Sequence, residues 1–140
     1  MKDLGEIHYC LGLEIWIEGR KTMVTQSKYT RDILERFNMS ESKAVPTPLD
    51  QNAKLSSLDE TRAKNGILYR QLVGSLNYLT TTRPDITYSV NILSQFMAKP
   101  LESHWIAGKK VLQYMKGTVN FGIMYTDNCD VELIGYFDLD

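Results

Sequence analysis

The chain has 140 residues, 43% hydrophobic and 24% charged, enough apolar material for one ordinary domain or pieces of two. Sixteen Lys and Arg against seventeen Asp and Glu leave a net charge of -1, which excludes a strongly basic, histone-like binder but not a local basic face. Cys10 and Cys129 cannot build a disulfide framework or a four-thiolate zinc site, and no apolar run approaches the roughly 20 residues of a membrane span.

Residues Ile7, Tyr9, Leu11, Leu13, Ile15 and Ile17 alternate with more polar neighbours, the period of a strand with one buried face. Glu18-Gly19-Arg20 is a turn candidate, and Thr22 to Gln26 reads as the return strand of a hairpin. Ser27 is a suitable N-cap for a short amphipathic helix carrying Tyr29, Ile33, Leu34 and Phe37. Residues 38–65 read as a connector, with Pro46 and Pro48 disfavouring helix before them.

The second half predicts a bundle of three helices, at about 66–82, 84–98 and 103–116. Leu68, Leu72, Leu76 and Leu79 recur at helical spacing in the first, with Val73 beside them. Gly74 lies inside it at a cost of roughly 1 kcal/mol against Ala, which suggests close approach of something to the backbone or tight helix packing. Pro84 suits the first turn of the second helix, which presents Ile86, Val90, Leu93 and Phe96 or Met97. Ser103 can cap the third, where Trp105, Gly108, Leu112 and Met115 share a face and Gly117 suits the C-terminal cap. Alternation returns at Phe121, Ile123 and Tyr125, and residues 131–137 read as a last strand, so a C-terminal hairpin is expected. The predicted class is α+β.

Chemistry is sparse. The sequence holds no Gly-rich phosphate loop, no metal-ligand spacing and no nucleophile elbow. His8 and His104 are read as surface or hydrogen-bonded groups, and Cys10 as a small, at least half-buried one. Asp138 and Asp140 lie two apart, on one side of a strand, where carboxylates can hold Mg²⁺, although acidic pairs near chain ends are usually solvated. Lys99, Lys109, Lys110 and Lys116, with Arg70, Arg83, Tyr69, Tyr78 and Tyr88, could serve phosphates, sugars or bases. An ordinary solvated helix face with core tyrosines fits the same residues.

Longer strings are more specific. Met1-Lys2-Asp3-Leu4-Gly5 precedes Leu11-Gly12-Leu13-Glu14-Ile15; then come Gln26-Ser27-Lys28-Tyr29, Thr47-Pro48-Leu49, Tyr69-Arg70-Gln71-Leu72-Val73-Gly74-Ser75-Leu76-Asn77-Tyr78-Leu79, Thr82-Arg83-Pro84-Asp85-Ile86 and Gly135-Tyr136-Phe137-Asp138-Leu139-Asp140. In this order, over nearly the whole chain, they resemble the Pol polyproteins of copia-type long-terminal-repeat retrotransposons. The resemblance implies three regions. Residues 1–49 are similar to the end of a reverse transcriptase palm with its primer-grip hairpin, 50–118 to the thumb-like helices, and 119–140 to a connection strand and the first strand of a truncated ribonuclease H domain.

The resemblance also implies roles. Leu11, Gly12 and Glu14 match the hairpin that positions a primer end; Arg70, Gly74, Asn77 and Tyr78 match the helix that tracks a template–primer duplex, with Lys109 and Lys110 as further contacts. Arg70, Gly74 and Tyr78 are four residues apart and share a helix face. Asp138 matches the first catalytic, metal-binding carboxylate of ribonuclease H, in an incomplete site. The family's Tyr-x-Asp-Asp polymerase string does not occur in the sequence, and Gln113 and Met115 replace a usual arginine and leucine.

The expectation is an intracellular (cytoplasmic or nuclear) fragment that binds a template–primer duplex but is inactive alone. It needs no cofactor of its own, although the parent enzyme uses Mg²⁺. Its partners are the duplex and the remaining Pol polyprotein, with no membrane contact. The alternative is a decayed or domesticated remnant acting structurally or through protein contacts, with no nucleic-acid activity.

Overall fold

The computed structural model describes residues 8–50, 55 and 65–126. Among them, four antiparallel strands and four α-helices make an α+β fold, the class expected from the apolar patterning. The alternating run over 7–17 is not one strand, however. It breaks at Leu11 and Gly12 into β1 (Tyr9–Cys10) and β2 (Leu13–Glu18), with Cys10 opposite Leu13. Leu11 and Gly12 hold φ of +50° and +80°, the two positive angles of a tight hairpin turn. A two-residue turn consumes one full period of the alternation, so the pattern runs through it unbroken. Cys10, expected to be at least half-buried, is exposed on this short edge strand.

The turn at Gly19 and Arg20 falls where expected, with Gly19 at φ +57° and Glu18 opposite Lys21. From it β3 (Lys21–Thr25) returns along β2. The strand expected to open a C-terminal hairpin, β4 (Gly122–Thr126), pairs instead with the far side of β3, Met23 opposite Met124. The sheet order is therefore β1-β2-β3-β4. The expected strand at 131–137, together with Cys129, Asp138 and Asp140, lies outside the described residues.

The helices are α1 (Ser27–Arg36), α2 (Gly66–Leu79), α3 (Thr87–Ser94), entered through a 3-10 turn at Pro84–Ile86, and α4 (Glu102–Gly117). Thus α2 stops at 79 rather than 82, α3 at 94 rather than 98, and α4 begins at 102. Asn65 opens α2, its side chain accepting from the Ile67 and Leu68 amides at 3.1 and 3.0 Å. Ser27 is not a cap. Gln26 occupies the cap position, and its side chain turns inward to accept from the Thr82 hydroxyl at 2.7 Å. The Lys28 amide is taken instead by the Glu14 carboxylate of β2, at 3.0 Å, a favourable charge at a helix N-terminus. Ser103 is not a cap either: Leu101 precedes α4, and its amide donates to His104 Nδ1 at 3.0 Å.

One apolar core joins the four helices. Leu72, Val73, Leu76 and Leu79 of α2 pack with Ile86, Val90 and Leu93, with Val111, Leu112 and Met115 of α4, and with Ile33, Leu34 and Phe37 at α1, all buried. Burying each such side chain contributes on the order of 1.5–3 kcal/mol. Tyr69 is also interior. Its hydroxyl donates to the Leu93 carbonyl at 2.7 Å, and burial pushes its phenol well up.

The ends of these elements converge on Arg83, which is 1% exposed and therefore no phosphate ligand. Its guanidinium meets Asp85 in a two-point contact, Nε to Oδ1 at 2.9 Å and Nη2 to Oδ2 at 2.7 Å. It also donates to the Thr118 carbonyl at 2.9 Å and the Thr118 hydroxyl at 2.7 Å, beyond the end of α4. Tyr114 donates to Asp85 at 2.8 Å, and the cation lies 5.7 and 5.5 Å from the ring centres of Tyr114 and Phe121. Burial alone would push the Asp85 carboxyl up; the bonds from Arg83 and Tyr114 outweigh it and hold the carboxyl below its ordinary 3.8. Burial, then the bond to Asp85, pushes the Tyr114 phenol up.

Arg83→Met should cost about 3 kcal/mol in urea unfolding, because it strands Asp85 without its cation. Asp85→Asn should destabilise strongly at pH 7 and less as pH falls below 3.8. A carboxyl depressed in the folded state lends stability above its unfolded value and loses it on protonation. An unchanged gap between the two proteins from pH 7 to pH 3 would contradict the arrangement.

Candidate nucleic-acid interface

Helix α2 has two faces. Tyr69, Leu72, Val73, Leu76 and Leu79 point inward, whereas Ile67, Arg70, Gln71, Gly74, Asn77 and Tyr78 are exposed. Arg70, Gly74, Asn77 and Tyr78 therefore lie on one open row, as helical spacing requires. Arg70 reaches the Met97 carbonyl at 3.3 Å. Gly74 is the unusual member, because a Cβ built on it would meet nothing within 4 Å. No packing among the described residues asks for glycine there. The contrast is Gly108 in α4, where a Cβ would stand 2.7 Å from Leu72 Cδ2, so that glycine permits the close approach of α4 to α2.

The hairpin turn joins this row through Tyr78. The Tyr78 hydroxyl donates to the Leu11 carbonyl, and its ring meets Tyr29 of α1 edge to face, centroids 4.9 Å apart. Gly12 lies against the same hydroxyl: a Cβ there would come within 2.9 Å of it. Of the residues expected at the interface, Leu11 and Gly12 thus stand beside Tyr78, with the Leu11 side chain 84% exposed. Glu14 accepts from the Lys28 amide of α1.

The lysines of α4 are partly engaged. Lys109 is exposed, its ammonium 5.5 Å from the centre of the Trp105 ring. Lys110 pairs with Asp50 of the connector. Among the other basic and aromatic candidates, Tyr69 and Arg83 belong to the interior, whereas Tyr88 and Lys99 are exposed. His8 is exposed, and His104 is buried, stacked on Phe96 at 3.8 Å.

Two open grooves lie elsewhere. One, of about 430 Å³, runs along Glu14, Trp16, Met23, Thr25, Ser27, Arg31 and Asn120. The other, of about 340 Å³, is lined by Arg31, Leu34, Glu35, Ser40, Lys116 and Val119. Arg31, bonded to Asn120 at 3.3 Å, lines both, and α2 lines neither. The sheet keeps apolar side chains at its surface, with Trp16 64% and Met124 56% exposed. Among the described residues no group of three His, Cys, Asp or Glu could hold a metal ion, so the Mg²⁺ of the resemblance finds no donor set there. No helix of the described residues is long and apolar enough to cross a membrane.

These features define a small α+β unit with one open helix row, and comparison with known proteins assigns its lineage. Over its whole length the chain is homologous to copia-type retrovirus-related Pol polyproteins of plant transposons. It is 43% identical over its whole length to the retrovirus-related Pol polyprotein from transposon RE1 of Arabidopsis thaliana, and 39% identical to that from transposon TNT 1-94 of Nicotiana tabacum. It spans only 10% and 11% of those proteins. An uncharacterized mitochondrial protein of Arabidopsis thaliana is 37% identical over the whole chain, which covers 58% of it. No family model matches the chain, and no solved structure matches it significantly.

The two helix glycines should respond oppositely to a methyl group. Gly74→Ala should stabilise by about 0.5–1 kcal/mol, the helix-propensity gain at an open site. Gly108→Ala should destabilise by about 1 kcal/mol through overpacking against Leu72. Melting temperatures that move in the same direction would refute this division.

Proposed function

We propose that the chain is the template–primer-binding portion of a retrotransposon reverse transcriptase, noncatalytic by itself. In this reading residues 1–49 are the end of the palm with a primer-grip-like hairpin, 50–118 the thumb-like helices, and 119–140 the link into ribonuclease H, with Asp138 its first metal-binding carboxylate. The sequence carries no Tyr-x-Asp-Asp string to hold the metal ions of nucleotide addition.

The observation that carries the reading is Gly74. A glycine inside an exposed helix row costs stability, and no neighbour among the described residues explains it. A sugar–phosphate backbone lying along Arg70, Gly74, Asn77 and Tyr78 would, because a side chain at position 74 would hold it off. Arg70, Lys109 and Lys110 supply the cations, and phosphate contact makes such binding salt-dependent. The exposed apolar residues of the sheet fit contact with the remaining polyprotein.

Filter binding of an RNA–DNA template–primer duplex should show weak affinity at low salt, falling with a log–log slope of about −2 to −3 for three phosphate contacts. Arg70→Ala should flatten that slope by about one. Gly74→Ala should weaken binding while stabilising the fold. A chain with no duplex affinity at low salt would refute the function, and the exposed sheet would then favour the structural, protein-contact role.

A further inference from the structure

The Leu11–Gly12 turn is built against the local preference of its own residues. Tight two-residue hairpin turns with positive φ at both positions favour Asn-Gly or Asp-Gly, and a leucine in the left-handed region bears a steric penalty. Yet Leu11 sits at φ +50°, and its side chain, 84% exposed, has almost no cover. The fold gains nothing from an apolar group in that position. Among the described residues, what holds the turn from outside the hairpin is the Tyr78 hydroxyl on the Leu11 carbonyl. Gly12 gives that hydroxyl room, since a Cβ there would approach it to 2.9 Å. The Tyr78 ring is itself fixed by Tyr29, 4.9 Å away and nearly perpendicular at 84°.

We propose that Tyr78 is a positioning residue: its hydroxyl clasps the β1–β2 turn to α2, so that the exposed Leu11 side chain and the Arg70–Gly74–Asn77 row meet one nucleic-acid duplex as a single surface. Residues 67 sequence positions apart thereby become neighbours with a set spacing. Leu11 supplies an apolar contact suited to the sugar face of a groove. The α2 row supplies the charge and the open backbone. Without the clasp the turn is free to relax its left-handed leucine, and the two contacts no longer fall at the same separation. This inference rests on the duplex-binding reading above and adds to it a coupling between two elements.

A double-mutant cycle on the full chain tests it, with an RNA–DNA template–primer duplex as the probe. Tyr78→Phe removes only the hydroxyl and keeps the ring against Tyr29; circular dichroism confirms the fold. It should weaken duplex binding about fivefold, the equivalent of one ordinary hydrogen bond. The salt slope should stay unchanged, because no phosphate contact is lost. Leu11→Ala should weaken binding by a similar factor in the wild-type background and have little further effect in Tyr78→Phe, the signature of two groups acting together. Fully additive losses, with wild-type binding intact, would overturn the clasp while leaving the proposed function standing. A wild-type chain that binds no duplex would overturn both.

Discussion

A guanidinium taken out of water must be bonded on every side, and Arg83 is the group around which this unit closes. Breaking up a buried ion pair by removing one partner costs several kcal/mol, because the other is left uncompensated. Here the partners come from three places. Asp85 is two residues away, Tyr114 is in α4, and Thr118 lies beyond it where the chain turns toward β4. Satisfying Arg83 therefore sets where α2 ends, how α3 begins and how α4 hands over to the sheet. The adjoining Thr82 extends this to α1, through its bond to the buried Gln26 at the head of that helix.

The strings shared with the polyprotein family thus divide by physical role. Gln26 and Thr82 meet in the interior, 56 positions apart, and Arg83 is buried beside them on Asp85. They are parts of the lock and carry no chemistry toward a ligand. The string from Arg70 to Tyr78 contains both kinds. Its leucines and Val73 build the core, whereas Arg70, Gly74, Asn77 and Tyr78 face outward. The glycine separates these roles most sharply. Gly108 is explained by Leu72 pressing on it, whereas among the described residues nothing near Gly74 explains it.

The sheet shows a different balance. Its two middle rows are apolar on both faces, Trp16, Met23 and Met124 in one and Ile15, Val24 and Ile123 in the other. An antiparallel sheet with one wet face would alternate apolar and polar side chains. The two-faced apolar pattern is the feature that the proposed function assigns to contact with the remaining polyprotein.

The existence of the helices and most of their buried faces were legible in local periodicity. Heptad-like leucine spacing in α2, Ile86, Val90 and Leu93, and Leu112 with Met115 are local periodicities, and burial follows them. The sequence also determined that Arg70, Gly74 and Tyr78 share a face, because a helix fixes that geometry within eight residues. The turn at Leu11–Gly12 was hidden, since two residues leave a period-two pattern in phase and Leu carries no turn signal. The caps were hidden as well. Ser27 and Ser103 have suitable chemistry, but Glu14 reaches the Lys28 amide from a neighbouring strand, and His104 takes the Leu101 amide from within the first turn of α4. Tertiary structure alone decided that Arg83 is interior, that β4 joins the N-terminal strands, and that Tyr78 touches Leu11. Each of these is a contact between residues tens of positions apart, and no local periodicity encodes which distant partner a side chain will meet.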